Sequence, residues 1–114
     1  MIIALNKKNI KKLPGFIGVY SFMKKRKPIY VGKSVNVKAR VLSHLENARF
    51  DRKEKLIIEN SDRLELFVTD SEFKALILES KLIQTHYPRY NVRWKDDKSY
   101  LYLKITSKEV YPKV

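Results

Sequence analysis

Segments rich in β-branched and aromatic residues alternate with segments of helical periodicity along the chain. Four of the former predict strands, at Ile17 to Phe22, Ile29 to Val31, Leu64 to Val68 and Tyr100 to Ile105. The first two are separated only by the basic run Lys24 to Lys27 and Pro28, which predicts a hairpin with a basic loop. Gly32 ends its second strand.

Three helices are predicted from apolar spacing and from capping residues. Val37, Val41, Leu45 and Ala48 recur at helical spacing after Asn36, which can cap a helix running to about Glu46. Asp51 with Glu54 resembles a capping box opening a short helix that ends near Asn60. Thr69 with Glu72 predicts a second box, and the helix it opens runs from about Asp70 to His86, before Pro88.

These elements follow one another in the order β-β-α-α-β-α. Because the first two strands form a hairpin, the order predicts an α+β domain with a small, largely antiparallel sheet. Residues 1–12 are set apart as a basic N-terminal segment, and residues 13–105 form the predicted domain. We expect residues 106–114 to be a C-terminal tail that leads into a longer parent chain.

Composition narrows the chemistry available to the chain. It has 114 residues and no cysteine, which excludes disulfides, thiolate metal sites and a cysteine nucleophile. Lys and Arg number 25 against 12 Asp and Glu, a formal net charge of +13, so a polyanionic partner is expected. No long basic amphipathic helix is predicted, which favours nucleic acid over a membrane surface. Without a secretory signal or an apolar span, we expect a soluble, cytosolic chain.

Two tyrosines on the predicted hairpin each stand close to a glycine. A half-buried aromatic pair is the ordinary interpretation of Tyr20 and Tyr30. Lys33 and Arg40 follow closely, however, and two phenols with two cations could provide a general base and a clamp for phosphoryl charge. Gly-Lys-Ser at 32–34 is not a P-loop, because Lys27 occupies the position of the required upstream glycine.

Glu79 lies on the predicted last helix in an apolar setting. Its neighbours three and four residues away are all apolar: Ala75, Leu76, Leu82 and Ile83. A carboxylate on a face that packs against a sheet is costly unless it is paired. It could form an internal ion pair with Arg40 or Lys33, reach water at an edge, or bind a hard cation such as Mg²⁺.

The tyrosine segments carry a resemblance to a known family. Gly-Val-Tyr at 18–20, Tyr-Val-Gly-Lys-Ser at 30–34 and then Arg40 resemble the GIY-YIG nuclease motif. Ala-Leu-Ile-Leu-Glu-Ser-Lys-Leu-Ile at 75–83 and the run from Tyr87 to Tyr100 are similar to the N-terminal nuclease domain of bacterial UvrC. The resemblance covers roughly Leu13 to Ile105.

The resemblance implies a central three-stranded antiparallel sheet flanked by helices. It implies a phosphodiesterase that uses one divalent metal ion, Mg²⁺ or Mn²⁺, and cuts DNA 3′ of a lesion in nucleotide excision repair. The implied partners are DNA and, through the parent chain, a UvrB-type damage-recognition complex. The residues that match the family's site are Tyr20, Tyr30, Lys33, Arg40 and Asn91, with Glu79 as the metal ligand. His44, one helical turn after Arg40, is a further catalytic candidate whose role stays open.

Two other functions stay open at this point. A non-catalytic nucleic-acid-binding module would use the same charge without needing Glu79 or paired tyrosines. A GIY-YIG nuclease of mobile-element or structure-specific type would keep the chemistry but change its biological setting.

Overall fold

A four-stranded antiparallel sheet organises residues 1–91, which are the residues that the computed structural model describes. The strands are β1 (Ile2–Ala4), β2 (Gly18–Lys24), β3 (Lys27–Ser34) and β4 (Arg63–Val68), in the spatial order β1-β4-β2-β3. The helices are α1 (Lys7–Lys11), α2 (Val37–Asn47), α3 (Arg52–Glu59) and α4 (Glu72–His86). The predicted strand from Tyr100 to Ile105 lies outside the described residues.

The α+β class and the three implied strands are confirmed, and the sheet gains a fourth strand from the N-terminus. Ile2 pairs with Glu65 and Ala4 with Arg63 on the outer edge of β4. Helix α1 follows at once, capped by the Asn6 side chain, which accepts a hydrogen bond from the Asn9 amide. The basic N-terminal segment therefore contributes a strand and a helix to the fold.

Two of the three predicted helix starts are confirmed. The side chain of Asn36 accepts from the Ala39 amide, and that of Asp51 accepts from the amides of residues 53 and 54. The third prediction is wrong, because Ser71 caps α4 instead of Thr69. The Thr69 amide donates to the carbonyl of Ile17, and this bond holds the residue against the sheet.

The helices cover the two faces of the sheet unequally. On one face, Tyr20 and Phe22 pack with Ile10 of α1, Val41 of α2 and Ile57 of α3. On the other face, α4 is the one helix of residues 1–91 that packs there, through a second apolar cluster of Val19, Val31, Ala75, Leu78 and Leu82. Alternate residues of β2 thus point to opposite layers, as the pleat of a strand requires. The phenols and the last helix therefore lie on opposite faces of the sheet.

The outer edge of β3 is closed by the segment that follows α4. The Tyr90 amide donates to the Ile29 carbonyl at 2.9 Å. Further along, the Asn91 side chain bonds both backbone groups of Val31. An exposed strand edge is a template for unwanted pairing, so these bonds protect β3 and hold the site-bearing strand in place.

Candidate active site

Three side chains from β2, α2 and α3 form the buried end of the site. The Tyr20 hydroxyl lies 2.7 Å from Nε2 of His44, and Nδ1 of His44 lies 2.5 Å from Oε1 of Glu54. Tyr20 is 1% exposed and His44 is 3% exposed, so each bonds the other instead of bulk water. Burial lowers the pKa of His44, against the opposing effect of the Glu54 carboxylate. The imidazole thus links a strand phenol to a helix carboxylate.

Arg40 lies one helical turn before His44 on α2, as the four-residue spacing predicted. Its guanidinium stands beside the Tyr20 hydroxyl, and this interaction raises the pKa of Arg40. Burial raises the pKa of Tyr20 far above its ordinary value, with a smaller contribution from Tyr30, and Arg40 opposes the rise. Tyr20 is therefore a protonated phenol between a cation and an imidazole.

Tyr30 is the more open of the two motif tyrosines. It is half-buried on β3, and its ring centroid is 6.5 Å from that of Tyr20 and 5.6 Å from that of His44. The ammonium of Lys53 lies 5.9 Å from the centre of the same ring, within cation–π distance. Burial, followed by the charge of Glu54, raises the pKa of Tyr30, and Arg40 opposes this shift.

Gly32 gives Tyr20 the space that it occupies. The two residues are opposite one another in the β2–β3 ladder. A Cβ built on Gly32 would lie 2.5 Å from the Tyr20 hydroxyl oxygen and 2.6 Å from Cζ, which is closer than non-bonded atoms approach. The glycine of the motif therefore admits a phenol.

Glu79 reaches the site from α4, on the far face of the sheet. It is partly buried, and its charge acts on both Tyr20 and Tyr30. Burial raises the pKa of Glu79, and Lys33 opposes the rise. Within residues 1–91, Glu79 has no cationic nitrogen within 4.0 Å, so the ion pair with Arg40 or Lys33 considered above is not formed. Lys33 itself is exposed on β3.

Asn91 is buried against the edge of β3 and does not point its amide at the phenols. Its Oδ1 accepts from the Val31 amide at 2.8 Å, and its Nδ2 donates to the Val31 carbonyl at 3.0 Å. Both halves of the side chain are thus occupied by one backbone unit between Tyr30 and Gly32. In this arrangement Asn91 acts on the site by holding the strand that carries Tyr30.

Comparison with known proteins agrees with this geometry. Residues 16–92 match the model of the UvrC-like GIY-YIG domain. The chain belongs to this family. It is 50% identical over 106 residues to UvrABC system protein C of Desulforudis audaxviator and 48% identical over 105 residues to that of Aquifex aeolicus. Each alignment covers 92% of this chain but only 17% and 18% of those relatives.

The GIY-YIG fold is also matched by solved structures. A crystal structure of the N-terminal endonuclease domain of UvrC from Thermotoga maritima, bound to its catalytic magnesium, superposes with a TM-score of 0.69. The sequences are 37% identical, and the match covers 76% of this chain and 99% of that one. The GIY-YIG resemblance read from the motif residues is therefore confirmed at the level of family and fold.

Glu79 is the side chain of this GIY-YIG domain that suits a hard cation. No group of three or more His, Asp or Glu side chains able to hold a metal occurs within residues 1–91. A lone, partly buried carboxylate without an ion-pair partner fits Mg²⁺, which is commonly held by one or two carboxylates and keeps several waters. Glu79 is that carboxylate, and the desolvation that raises its pKa would be offset by a bound dication.

Two residues of α3 belong to the site although the sequence did not predict this for either of them. Glu54 was assigned only to a capping box, but its side chain bonds His44 while Asp51 alone caps the helix. Lys53 counted only toward the positive charge of the chain, yet its ammonium lies over Tyr30. No local spacing indicates either contact, because α2 and α3 must first pack on the same face of the sheet.

Proposed function

We propose that this chain is a metal-dependent DNA endonuclease domain that hydrolyses a phosphodiester bond. In the parent protein it would make the incision 3′ of a lesion in nucleotide excision repair. The observation that carries the proposal is the grouping of both motif tyrosines with His44, their ring centroids 5.4–6.5 Å apart. The charges of Arg40 and Glu79 act on both phenols, and Glu79 has no ion-pair partner within residues 1–91. Membership of the UvrC-like GIY-YIG family supports the same assignment.

Tyr30 is the general base in this proposal. Its hydroxyl is on a half-buried ring that solvent can reach, whereas the Tyr20 hydroxyl is buried and bonded to His44. A phenol becomes a base only when cations favour the phenolate. Arg40 acts in this direction on Tyr30, and Lys53 lies over its ring. Tyr30 would then accept a proton from the attacking water.

The cations of the site bind the scissile phosphate. Arg40 offers a planar fork that matches the negative oxygens of a phosphoryl group as charge develops on them. Lys33 is exposed on the same strand as Tyr30 and provides a point charge for an adjacent oxygen. Glu79 would hold the Mg²⁺ or Mn²⁺ ion, which supplies Lewis-acid stabilisation of the phosphoryl oxygens when bound.

Basic side chains on several elements provide the wider DNA-binding surface. They lie on α1, on the β2–β3 turn and on α3, and they comprise Lys7, Lys8, Lys11, Lys12, Lys24, Lys25, Arg26, Lys27, Arg52, Lys53 and Lys55. Phosphate contacts of this kind supply affinity and make it salt-dependent. The natural substrate would be delivered by a UvrB-type damage-recognition complex, which engages the parent chain.

The test is cleavage of a nicked or damaged duplex by the 114-residue chain with Mg²⁺ or Mn²⁺. We expect metal-dependent incision by the wild type and a rate about 10²–10⁴-fold lower for Tyr30→Phe. Tyr87→Phe, which removes the same hydroxyl from an exposed tyrosine, is the matched control and should cut at the wild-type rate. Tight DNA binding with no incision in either metal, by a chain shown to be folded, would instead assign a non-catalytic binding module.

A further inference from the structure

Glu54 stands behind His44 and touches neither Tyr30 nor the proposed metal site through a hydrogen bond given by the structure. Its carboxylate is 20% exposed and bonds Nδ1 of His44 at 2.5 Å. An ionised carboxylate can only accept hydrogen bonds. Nδ1 of His44 must therefore carry a proton, and in the neutral ring Nε2 is left as an acceptor.

That assignment sets the direction of the next two contacts. Nε2 of His44, 2.7 Å from the Tyr20 oxygen, accepts the Tyr20 hydroxyl proton. The remaining lone pairs of that oxygen are then left available to Arg40, whose charge acts on Tyr20. Tyr20, His44 and Glu54 then form one polarised chain in which each group donates to the next. The carboxylate lies at one end, and the charge of Arg40 acts on the phenol at the other. Such chains strengthen their members cooperatively.

We propose that Glu54 is a positioning residue that holds His44 in its Nδ1–H tautomer and thereby, through Tyr20, orients Arg40 toward the scissile phosphate. This inference rests on the proposed nuclease function. Tyr20 keeps its proton throughout and is not the base. In the other tautomer, Nε2–H would donate to the Tyr20 oxygen and compete with Arg40 for it, while the buried Tyr20 proton would lose its acceptor.

The tautomer can be measured directly and without substrate. The chain has two histidines, so ¹⁵N–¹H correlation spectra of the ring nitrogens are simple, and the exposed His86 is assigned by His86→Gln. The wild type should show His44 protonated at Nδ1 only. Glu54→Ala should convert it to the Nε2–H form, and Glu54→Gln, whose amide can accept or donate, should give a mixture. Glu59→Gln, an exposed glutamate on the same helix, should leave the spectrum unchanged.

Cleavage by the same variants tests the positioning role. Misplacing a transition-state donor costs on the order of 10²-fold, so kcat should fall by about that factor in Glu54→Ala while KM stays near the wild-type value. If Glu54→Ala does not fold, Glu54→Gln should show a smaller fall in kcat, in proportion to the fraction of His44 that is in the Nε2–H form in that variant.

Two results would overturn the inference. One is a His44 ring that stays Nδ1–H in both Glu54 variants. The other is a changed tautomer in a folded variant that cuts as fast as Glu59→Gln, which would leave Glu54 as a structural link between α2 and α3. Failure of the wild type to cut any duplex would refute the proposed function and the positioning role together, and the spectra would still show whether Glu54 sets the His44 tautomer.

Discussion

Replacing Gly32 by alanine should disrupt the phenol–imidazole contact from the strand side. The new Cβ would lie 2.5 Å from the Tyr20 oxygen and 2.6 Å from Cζ. Because non-bonded atoms do not stay this close, the Tyr20 ring must tilt or β3 must shift. The Tyr20–His44 bond is 2.7 Å long and both residues are buried, so either movement breaks it.

The expected loss in the free energy of unfolding is the sum of three contributions. Overpacking a buried site costs about 1–3 kcal/mol, and a buried hydrogen bond left unmade costs about 1–3 kcal/mol. Replacing glycine restores about 0.4–1 kcal/mol through the unfolded chain. The net destabilisation is therefore about 1–5.5 kcal/mol, with a midpoint of about 3 kcal/mol. At roughly 4 °C per kcal/mol for a domain of this size, the midpoint corresponds to a fall of about 12 °C in the melting temperature.

Urea unfolding of the wild type, Gly32→Ala, Tyr20→Phe and the double variant measures this coupling as a double-mutant cycle. Tyr20→Phe should cost less in the Gly32→Ala background, because the bond that it removes is already broken. Gly15→Ala is the control, since the Cβ there meets only the side chain of Asn36, at 3.2 Å. A Gly32→Ala chain as stable as the wild type, or additive effects of the two substitutions, would refute the role given to Gly32.

Other substitutions test the remaining parts of the site. Asn91→Ala should lower the free energy of unfolding by about 2–4 kcal/mol, because it leaves both buried backbone groups of Val31 without partners. Urea titration measures this loss, and Asn9→Ala, which removes an exposed side-chain bond, is the control; a loss no larger than that of the control would contradict the prediction. Arg40→Ala should lower kcat by about 10²–10³-fold with little change in DNA affinity; an effect on affinity alone would mean that Arg40 only binds the DNA backbone. Replacing Lys24 and Lys27 by alanine should flatten the salt dependence of DNA binding by about 0.9 for each phosphate that is no longer neutralised; an unchanged slope would exclude these lysines from the interface.

The α+β class and several helix boundaries could be predicted because they depend on short-range patterns. Asn36 and Asp51 cap their helices through bonds two or three residues away. Thr69 and Ser71 offer equivalent hydroxyls, and a long-range bond from the Thr69 amide to Ile17 decides between them. Strand β1 has only three residues and forms because β4 offers it a free edge, which no local pattern indicates.

The candidate site likewise combines features that short-range patterns indicate with features that depend on long-range packing. The four-residue spacing of Arg40 and His44 placed both on one face of their helix, and the apolar neighbours of Glu79 indicated a carboxylate on a face that packs against the sheet. Glu54 occupies the position at which a capping box needs a glutamate, so its sequence context pointed to its own helix. Only the packing of α2 against α3 turns it toward His44. Asn91 likewise acquires its role from a strand edge sixty residues away in sequence.

The role of Glu79 as metal ligand is tested most directly by the rate of duplex cleavage as a function of Mg²⁺ concentration, measured side by side for the wild type and Glu79→Gln. Glutamine keeps the shape of the side chain and removes the charge whose burial is costly. We expect a rate that saturates with Mg²⁺ for the wild type, and background cleavage at every concentration for a Glu79→Gln chain that is at least as stable. Normal Mg²⁺-dependent cleavage by Glu79→Gln, or a variant that simply unfolds, would contradict this role.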